Sequence, residues 1–133
     1  MTISFQELAS AGKSIVPVIA LPSLDCAQPL ADTLSSCGFH VLEITLRTDC
    51  ALEAIKLLSD TRPDLVIGAG TVKNSGQLTQ AIAAGAQFVV SPGTDAVMIE
   101  QANNQGVALV PGVMTPSEIM IAENHGLDTV KLF

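Results

Sequence analysis

The sequence predicts an α/β fold in which helices cover both faces of a parallel sheet. Apolar and amphipathic stretches alternate along the 133 residues, and the apolar stretches begin every 21 to 25 residues. A strand, a helix and two short loops need a spacing of that kind. The apolar stretches are nearly continuous, which is typical of strands buried on both faces. A doubly wound open sheet and part of a (β/α)8 barrel both fit this order.

Six strands are predicted after a short N-terminal helix within "MTISFQELASAGK". Their bounds are Ile15–Ala20, His40–Leu46, Leu65–Gly70, Ala86–Ser91, Val107–Pro111 and Asp128–Phe133. The helices between them carry recognisable ends. The string "TPSE" at 115–118 predicts a capping box with proline at the first helical position, and Asn74 and Thr94 are further candidate caps. Four helices are followed by a glycine, which adopts the left-handed backbone at no steric cost: Gly38, Gly85, Gly106 and Gly126.

The composition predicts a single globular domain, residues 1–133, in the cytoplasm. Hydrophobic residues make up 48% of the chain and charged residues 14%. The net charge of −7 argues against a nucleic-acid partner, and no apolar run is long enough for a membrane span. The N-terminus lacks the features of a secretory signal, so Cys26, Cys37 and Cys50 are expected to be reduced. His40 and His125 lack partners at metal-like spacing, so no metal site is expected.

The stretch "VLEITLRT", residues 41–48, places polar groups on one face of a buried strand. Side chains alternate along a strand, so Glu43, Thr45 and Arg47 share a face and the leucines and isoleucine share the other. Charges inside a fold must be paired or used, and the functional interpretation is a polar pocket. The alternatives are a structural ion pair or an edge strand that faces water.

A lysine inside the apolar stretch "TVKLF" is a candidate nucleophile. By strand alternation, Lys131 shares a face with Thr129 and Phe133. Apolar surroundings disfavour the charged amine and lower its pKa, and a neutral lysine attacks ketones. The alternative is a lysine whose ammonium group reaches water from the strand end. Parallel α/β folds gather their chemistry at the carboxyl ends of strands, and Arg47, Lys73 and Lys131 all lie there, which suits an anionic small substrate.

The stretch "VIGAGTVK", residues 66–73, matches neither common phosphate-binding loop. Lys73 stands where the dinucleotide fingerprint needs its third glycine, and no P-loop pattern is present. Gly68 and Gly70 fit a strand end where side chains would obstruct a ligand or a close backbone approach. Thr71 then offers a hydroxyl group and a backbone N–H. A plain turn before a helix is the alternative.

Together these segments carry a family resemblance. The strings "PVIALPSLDCAQPLADTLSSCGFHVLEITLRT", "VIGAGTV", "FVVSPGT", "LVPGVMTPSE" and "TVKLF" occur in order, and from about Ile15 onward the chain resembles the bacterial 2-dehydro-3-deoxy-6-phosphogluconate aldolases, also described as 4-hydroxy-2-oxoglutarate aldolases. The resemblance implies a (β/α)8 TIM barrel, of which this chain supplies an N-terminal helix and the first six strands.

The resemblance also implies a class I, Schiff-base aldolase that needs no metal or other cofactor and releases pyruvate from a small keto acid. Lys131 stands at the imine-forming position and Glu43 at the general acid/base. Arg47 and Thr71 match residues that hold the carboxylate of the pyruvate half. Pro92 and Phe133 match residues that line the pocket.

Three further expectations follow from the resemblance. The chain stops after the sixth strand, so about two βα units and the phosphate site after strands 7 and 8 are expected to be missing. Alone, it is then expected to associate through its open edges and to show little activity. A homo-oligomer, by resemblance a trimer, is expected. The alternatives are an inactive barrel fragment that acts only through association with other chains, and another phosphate-binding barrel lyase or isomerase.

Overall fold

The computed structural model describes residues 4–10 and 15–133, and its strands form one parallel sheet. In chain order the elements are α1 (Phe5–Ala9), β1 (Val18–Ile19), a 3₁₀ turn (Leu24–Cys26), α2 (Ala27–Ser36), β2 (Val41–Thr45), α3 (Ala51–Thr61), β3 (Val66–Gly70), α4 (Ser75–Ala83), β4 (Phe88–Ser91), α5 (Ala96–Gln105), β5 (Ala108–Val113), α6 (Pro116–Asn124) and β6 (Lys131–Leu132).

The order of the strands in the sheet decides between the two architectures. Strands β1 to β6 lie side by side in sequence order, and every neighbouring pair is parallel. A doubly wound sheet would reverse its strand order near the middle, whereas a barrel adds each strand beside the previous one. The prediction of an incomplete TIM barrel is therefore confirmed, with β1 and β6 at the two ends of the described sheet.

The six predicted strands are all present, although the outer two are much shorter than expected. Each outer strand pairs along one side only, so few of its residues join the ladder: two in β1 and two in β6. Strand β5 runs further than predicted, to Val113, because Gly112 and Val113 pair with Lys131 and Leu132. These additional pairs bring the lysine into the sheet.

The helix ends confirm most of the predicted caps. Thr115 and Glu118 form the capping box, and the Asn74 side chain accepts a hydrogen bond from the backbone N–H of Gln77. The prediction of Thr94 as a cap is wrong. Asp95 caps α5 instead, since its carboxylate accepts from two backbone N–H groups, and the Thr94 hydroxyl donates to the carbonyl of Gly112 at 2.8 Å. Each such cap contributes about 1 kcal/mol.

The four predicted helix-ending glycines all have the left-handed backbone. Their φ angles lie between 70° and 97°. A side chain at such a φ angle costs energy, so glycine ends these helices without strain. The short first helix is confirmed as well, and Ser4 and Glu7 close its capping box.

The core has two layers, one on each face of the sheet. The larger cluster of buried apolar side chains lies between the sheet and its helices, and it includes Leu42, Ile44 and Ile55. The smaller inner cluster is centred on Phe88, whose ring meets Phe5 edge to face at a centroid distance of 5.0 Å. A Cβ added at Gly68 would overlap the Phe88 ring. Gly68 thus makes room for a side chain of the protein itself, rather than for a ligand.

No helix in the described part of the chain is long and apolar enough to cross a membrane.

Candidate functional site

A small cavity of about 100 Å³ opens at the carboxyl ends of the strands. Its wall is formed by predicted site residues that are far apart in the sequence. They lie on the turn after β2, at the ends of β3 and β4, and on β6. The five predicted residues that line the cavity are Arg47, Thr71, Pro92, Lys131 and Phe133.

Glu43 lies beside this cavity and is the acidic partner of its lysine. The Oε1 atom of Glu43 is 3.7 Å from Nζ of Lys131. Only 4% of Glu43 is exposed, whereas a third of the Lys131 side chain is exposed to solvent. A carboxylate and an amine are therefore close together, and the amine retains access to the cavity.

Burial raises the pKa of the Glu43 carboxyl above its ordinary value. Removal from water disfavours the carboxylate, and the nearby charges of Lys131 and Arg47 only partly offset this effect. A carboxyl group with a raised pKa holds a proton more readily near neutral pH, so it can both accept and return one. The charge of Arg47 reaches Glu43 although the arginine itself is exposed on the turn that follows β2.

Lys131 is held in register with β5 and lies near an aromatic ring. Its backbone pairs with Gly112, and its Nζ lies 5.6 Å from the centroid of the Phe133 ring. An ammonium group at that distance from an aromatic face is attracted by its quadrupole. The carboxylate of Glu43 and the Phe133 ring together restrict where the flexible lysine side chain can go.

Thr71 has an unusual backbone. Its φ angle is 59°, and it is the one non-glycine residue with positive φ in the described ranges 4–10 and 15–133. A β-branched residue in that region is strained, and strain of this kind concentrates at functional sites. Neighbouring hydrogen bonds hold it: the Val72 N–H donates to the Val90 carbonyl at 3.1 Å, and the Lys73 N–H donates to Gln77 Oε1 at 2.8 Å.

Two further residues line the cavity although the sequence did not single them out. Val90 and Ser91 end β4 beside Pro92. Ser91 is buried, and its hydroxyl donates to the Gly93 carbonyl at 2.7 Å, which shapes the turn that carries Pro92. The signal that could have found Ser91 is its place in "SPG" at the end of an apolar strand.

Lys73, the third cation predicted at this rim, faces a neighbouring cavity instead. That cavity has a volume of about 230 Å³ and shares Ser91 and Pro92 with the first. Lys73 is exposed, and the wall of that cavity also includes Asp95, the cap of α5. Lys13, the remaining lysine near the N-terminus, lies outside the described residues.

A larger cavity, of about 400 Å³, opens at the opposite end of the strands. Its wall includes Ser4, Phe5, His125 and Asp128, and none of the described residues that line it is a lysine or arginine. His125 is bound within its own helix, where Nδ1 lies 2.7 Å from the Ile121 carbonyl oxygen. In parallel barrels this end of the strands serves stability, so the smaller, cationic cavity is the better candidate site.

The described residues contain no group of histidine, cysteine and acidic side chains arranged to hold a metal ion. Cys26, Cys37 and Cys50 are not joined by disulfide bonds.

The chain is similar to one family over nearly its whole length. A sequence model of the family described as KDPG and KHG aldolase matches residues 7–133. The 2-dehydro-3-deoxy-phosphogluconate aldolase of Dickeya dadantii is 44% identical over 130 residues, which are 98% of this chain and 61% of that protein. The KHG/KDPG aldolase of Escherichia coli is 42% identical over 119 residues, which are 90% of this chain and 56% of that protein.

Solved structures give the same picture. The 2-keto-3-deoxy-6-phospho-gluconate aldolase of Zymomonas mobilis superposes with a TM-score of 0.92 at 40% identity, covering 98% of this chain and 63% of that one. The KDPG aldolase of Legionella pneumophila, with pyruvate captured at low pH as a covalent carbinolamine intermediate, has a TM-score of 0.90 at 41% identity, covering 96% and 61%. The chain spans about three fifths of the length of these relatives.

Proposed function

The chain belongs to the KDPG and KHG aldolase family, and we propose that it is a class I aldolase acting through a Schiff base on Lys131. Its substrate would be a 2-keto-3-deoxy-6-phospho sugar acid or 4-hydroxy-2-oxoglutarate. The products would be pyruvate and an aldehyde, either glyceraldehyde 3-phosphate or glyoxylate. The observation that carries the proposal is the 3.7 Å approach of Lys131 to the buried Glu43 beside a cavity that also holds Arg47.

The first step is formation of the imine. The uncharged amine of Lys131 attacks C2 of the keto acid to give a carbinolamine, which loses water to leave a protonated imine. Arg47 binds the carboxylate next to C2, and the hydroxyl of Thr71 offers a second contact, so that C2 stays within reach of the amine. In support, the related Legionella protein was captured with pyruvate as a covalent carbinolamine.

Carbon–carbon cleavage follows, with Glu43 as the proton carrier. Glu43 accepts the proton of the C4 hydroxyl, directly or through a water molecule, while the C3–C4 bond electrons move into the imine. The aldehyde leaves and an enamine remains on Lys131. Glu43 returns the proton to C3, and water then hydrolyses the imine, which releases pyruvate and restores the amine. The raised pKa of the Glu43 carboxyl favours both transfers.

The volume of the cavity favours the keto-acid half of the substrate. At about 100 Å³ the cavity is smaller than the roughly 300–1,000 Å³ of most small-molecule sites, so we assign it to the three-carbon keto-acid end rather than to a whole phosphorylated sugar acid. Pro92 and Phe133 would supply its apolar walls. The proposal uses no metal or other cofactor and places the enzyme in the cytoplasm as a homo-oligomer, a trimer by family resemblance, which sedimentation or light scattering can test.

Trapping with pyruvate tests the central step. A chain that contains the full barrel is incubated with pyruvate and borohydride, and peptides are mapped by mass spectrometry, with the full-length Escherichia coli relative as a positive control. We expect one reduced adduct, on Lys131, and none in Lys131→Arg. Lys73→Arg is the matched control, because Lys73 is a lysine of the same rim. Adduct on Lys73 with none on Lys131 would refute the assignment.

A further inference from the structure

Gly70, the last residue of β3, lies directly under the carboxylate of Glu43. It is buried, and its backbone pairs with Thr45 of β2. A Cβ added at Gly70 would lie 2.8 Å from both Cγ and Cδ of Glu43 and closer still to Oε1. Real Cβ atoms do not approach other heavy atoms so closely, so the Glu43 side chain occupies the space of the missing side chain.

The backbone does not explain the glycine. The glycines with a positive φ angle among the described residues are the four that end helices, and Gly70 is not one of them. An alanine would therefore suit the backbone of β3 as well as it suits any strand. The three atoms nearest to that Cβ position all belong to a single side chain, Glu43: Oε1, Cδ and Cγ.

Glu43 has little room to move away. On the same face, the space over Gly68 is already filled by the Phe88 ring, and Thr45 is fully buried with its hydroxyl donating to the Ile19 carbonyl at 2.9 Å. Open space adjoins the carboxylate on the side of Lys131, which lies 3.7 Å away and lines the cavity. A methyl group at position 70 would push the carboxylate out of its seat and change its approach to the lysine.

We propose that Gly70 is a positioning residue, whose missing side chain creates the seat that fixes the Glu43 carboxylate beside Lys131. The inference rests on the proposed function, because the seat matters for turnover only if Glu43 carries protons. Proton transfer depends on geometry: misplacement of a reacting group on the order of 1 Å can cost roughly 10²-fold in rate. Imine formation, in contrast, needs the amine and the carboxylate clamp of Arg47.

The test separates these two steps in Gly70→Ala. Borohydride trapping of pyruvate reports the imine, and exchange of the pyruvate methyl protons for deuterium, followed by NMR, reports proton transfer at C3. We expect trapping on Lys131 to persist, while the exchange rate falls by about tenfold or more. Gly76→Ala is the control: it adds the same methyl group on α4, where the nearest atom is Asn74 Oδ1 at 3.3 Å, and should leave both readouts unchanged.

A second measurement needs no substrate. Unfolding in urea is compared for Gly70→Ala, Glu43→Ala and the double variant. Because the three nearest atoms all belong to Glu43 and lie beyond its Cβ, the destabilisation caused by Gly70→Ala should largely vanish when Glu43 is already alanine. Titration of carboxyl ¹³C-labelled glutamate should also show the Glu43 pKa altered by Gly70→Ala and not by Gly76→Ala.

The outcomes are distinguishable. Equal loss of trapping and exchange, or additive free energies of unfolding in the cycle, would overturn the role of Gly70. Absence of any Lys131 adduct in the unsubstituted chain would refute the proposed function instead, and the unfolding cycle would still report whether the seat exists.

Discussion

Nζ of Lys131 and Oε1 of Glu43 lie 3.7 Å apart, although β6 and β2 are separated by three intervening strands. Neighbouring strands are spaced by roughly 4.8 Å, so a flat sheet would put β2 and β6 about 19 Å apart. Side chains of glutamate and lysine cannot span that distance and still meet. The ion pair therefore exists because the sheet curls, and the curl brings the two groups together across its inner face.

The buried carboxyl should make the stability depend on pH in an unusual direction. The pKa of Glu43 is raised in the folded state from an ordinary value of 4.5, so the folded chain binds more protons than the unfolded chain between those two values. The free energy of unfolding should fall as pH rises through that window. Glu43→Gln, which stays neutral, should be more stable than the wild type above the window and equal to it below pH 4.5.

Urea unfolding at several pH values checks this prediction. Glu53→Gln is a suitable control, because Glu53 lies on the exposed side of α3. A Glu43→Gln variant that is less stable than the wild type at neutral pH would show that the pair with Lys131 outweighs the cost of burial.

The same substitution should separate imine formation from turnover. Glu43→Gln should lower kcat by roughly 10²–10⁴-fold, which is the usual contribution of a general acid/base, while trapping of pyruvate on Lys131 persists. Stopped assays of pyruvate release, run beside the trapping experiment, check it. An unchanged kcat would mean that Glu43 does not carry the proton.

Arg47→Ala should mainly weaken substrate binding. Arg47 is exposed on a turn and lines the cavity, so its loss removes a contact to the carboxylate and little packing. We expect a raised KM for keto acids with a smaller change in kcat, and nearly unchanged unfolding. Arg47→Lys should restore only part of the affinity, because lysine cannot form the bidentate pair. A loss of kcat alone, with KM unchanged, would assign Arg47 a different role.

The ion pair between Arg62 and Asp64, outside the candidate site, should make the stability depend on pH in the acidic range. The Arg62 guanidinium lowers the pKa of Asp64 from 3.8 to about 2, through hydrogen bonds of 2.8 and 2.7 Å. Its stabilisation is therefore present above pH 3.8 and is lost as pH falls towards 2. Asp64→Asn should be less stable than the wild type at neutral pH and should match it near pH 2.

Thermal unfolding across that pH range measures the effect, which should be small and should weaken with salt, since the Asp64 carboxylate is exposed. Asp60→Asn, which breaks the exposed pair of Asp60 with Lys56, is the matched control. A difference between Asp64→Asn and the wild type that persists unchanged at pH 2 would contradict this account.

The sequence predicted much of the fold because its signals are local. Six apolar stretches, the "TPSE" capping box and four glycines after helices each specify a piece of backbone through their own side chains or the lack of one. The prediction of a helix cap failed where a contact with a neighbouring strand determines which residue forms the cap. Asp95, not Thr94, caps α5 because Thr94 is bound to the Gly112 carbonyl of the adjacent strand.

The sequence by itself determined the strand faces, and with them that Glu43 and Thr45 share one face of β2 and Lys131 and Phe133 another, because alternation along a strand is a local property. Only the tertiary structure decided that these faces are the same wall of one curled sheet, at 3.7 Å between the charges. The tertiary structure also determined which side chains occupy the space beside Gly68 and Gly70. The atoms that fill their space, Phe88 and Glu43, come from neighbouring strands, and no local pattern specifies such contacts.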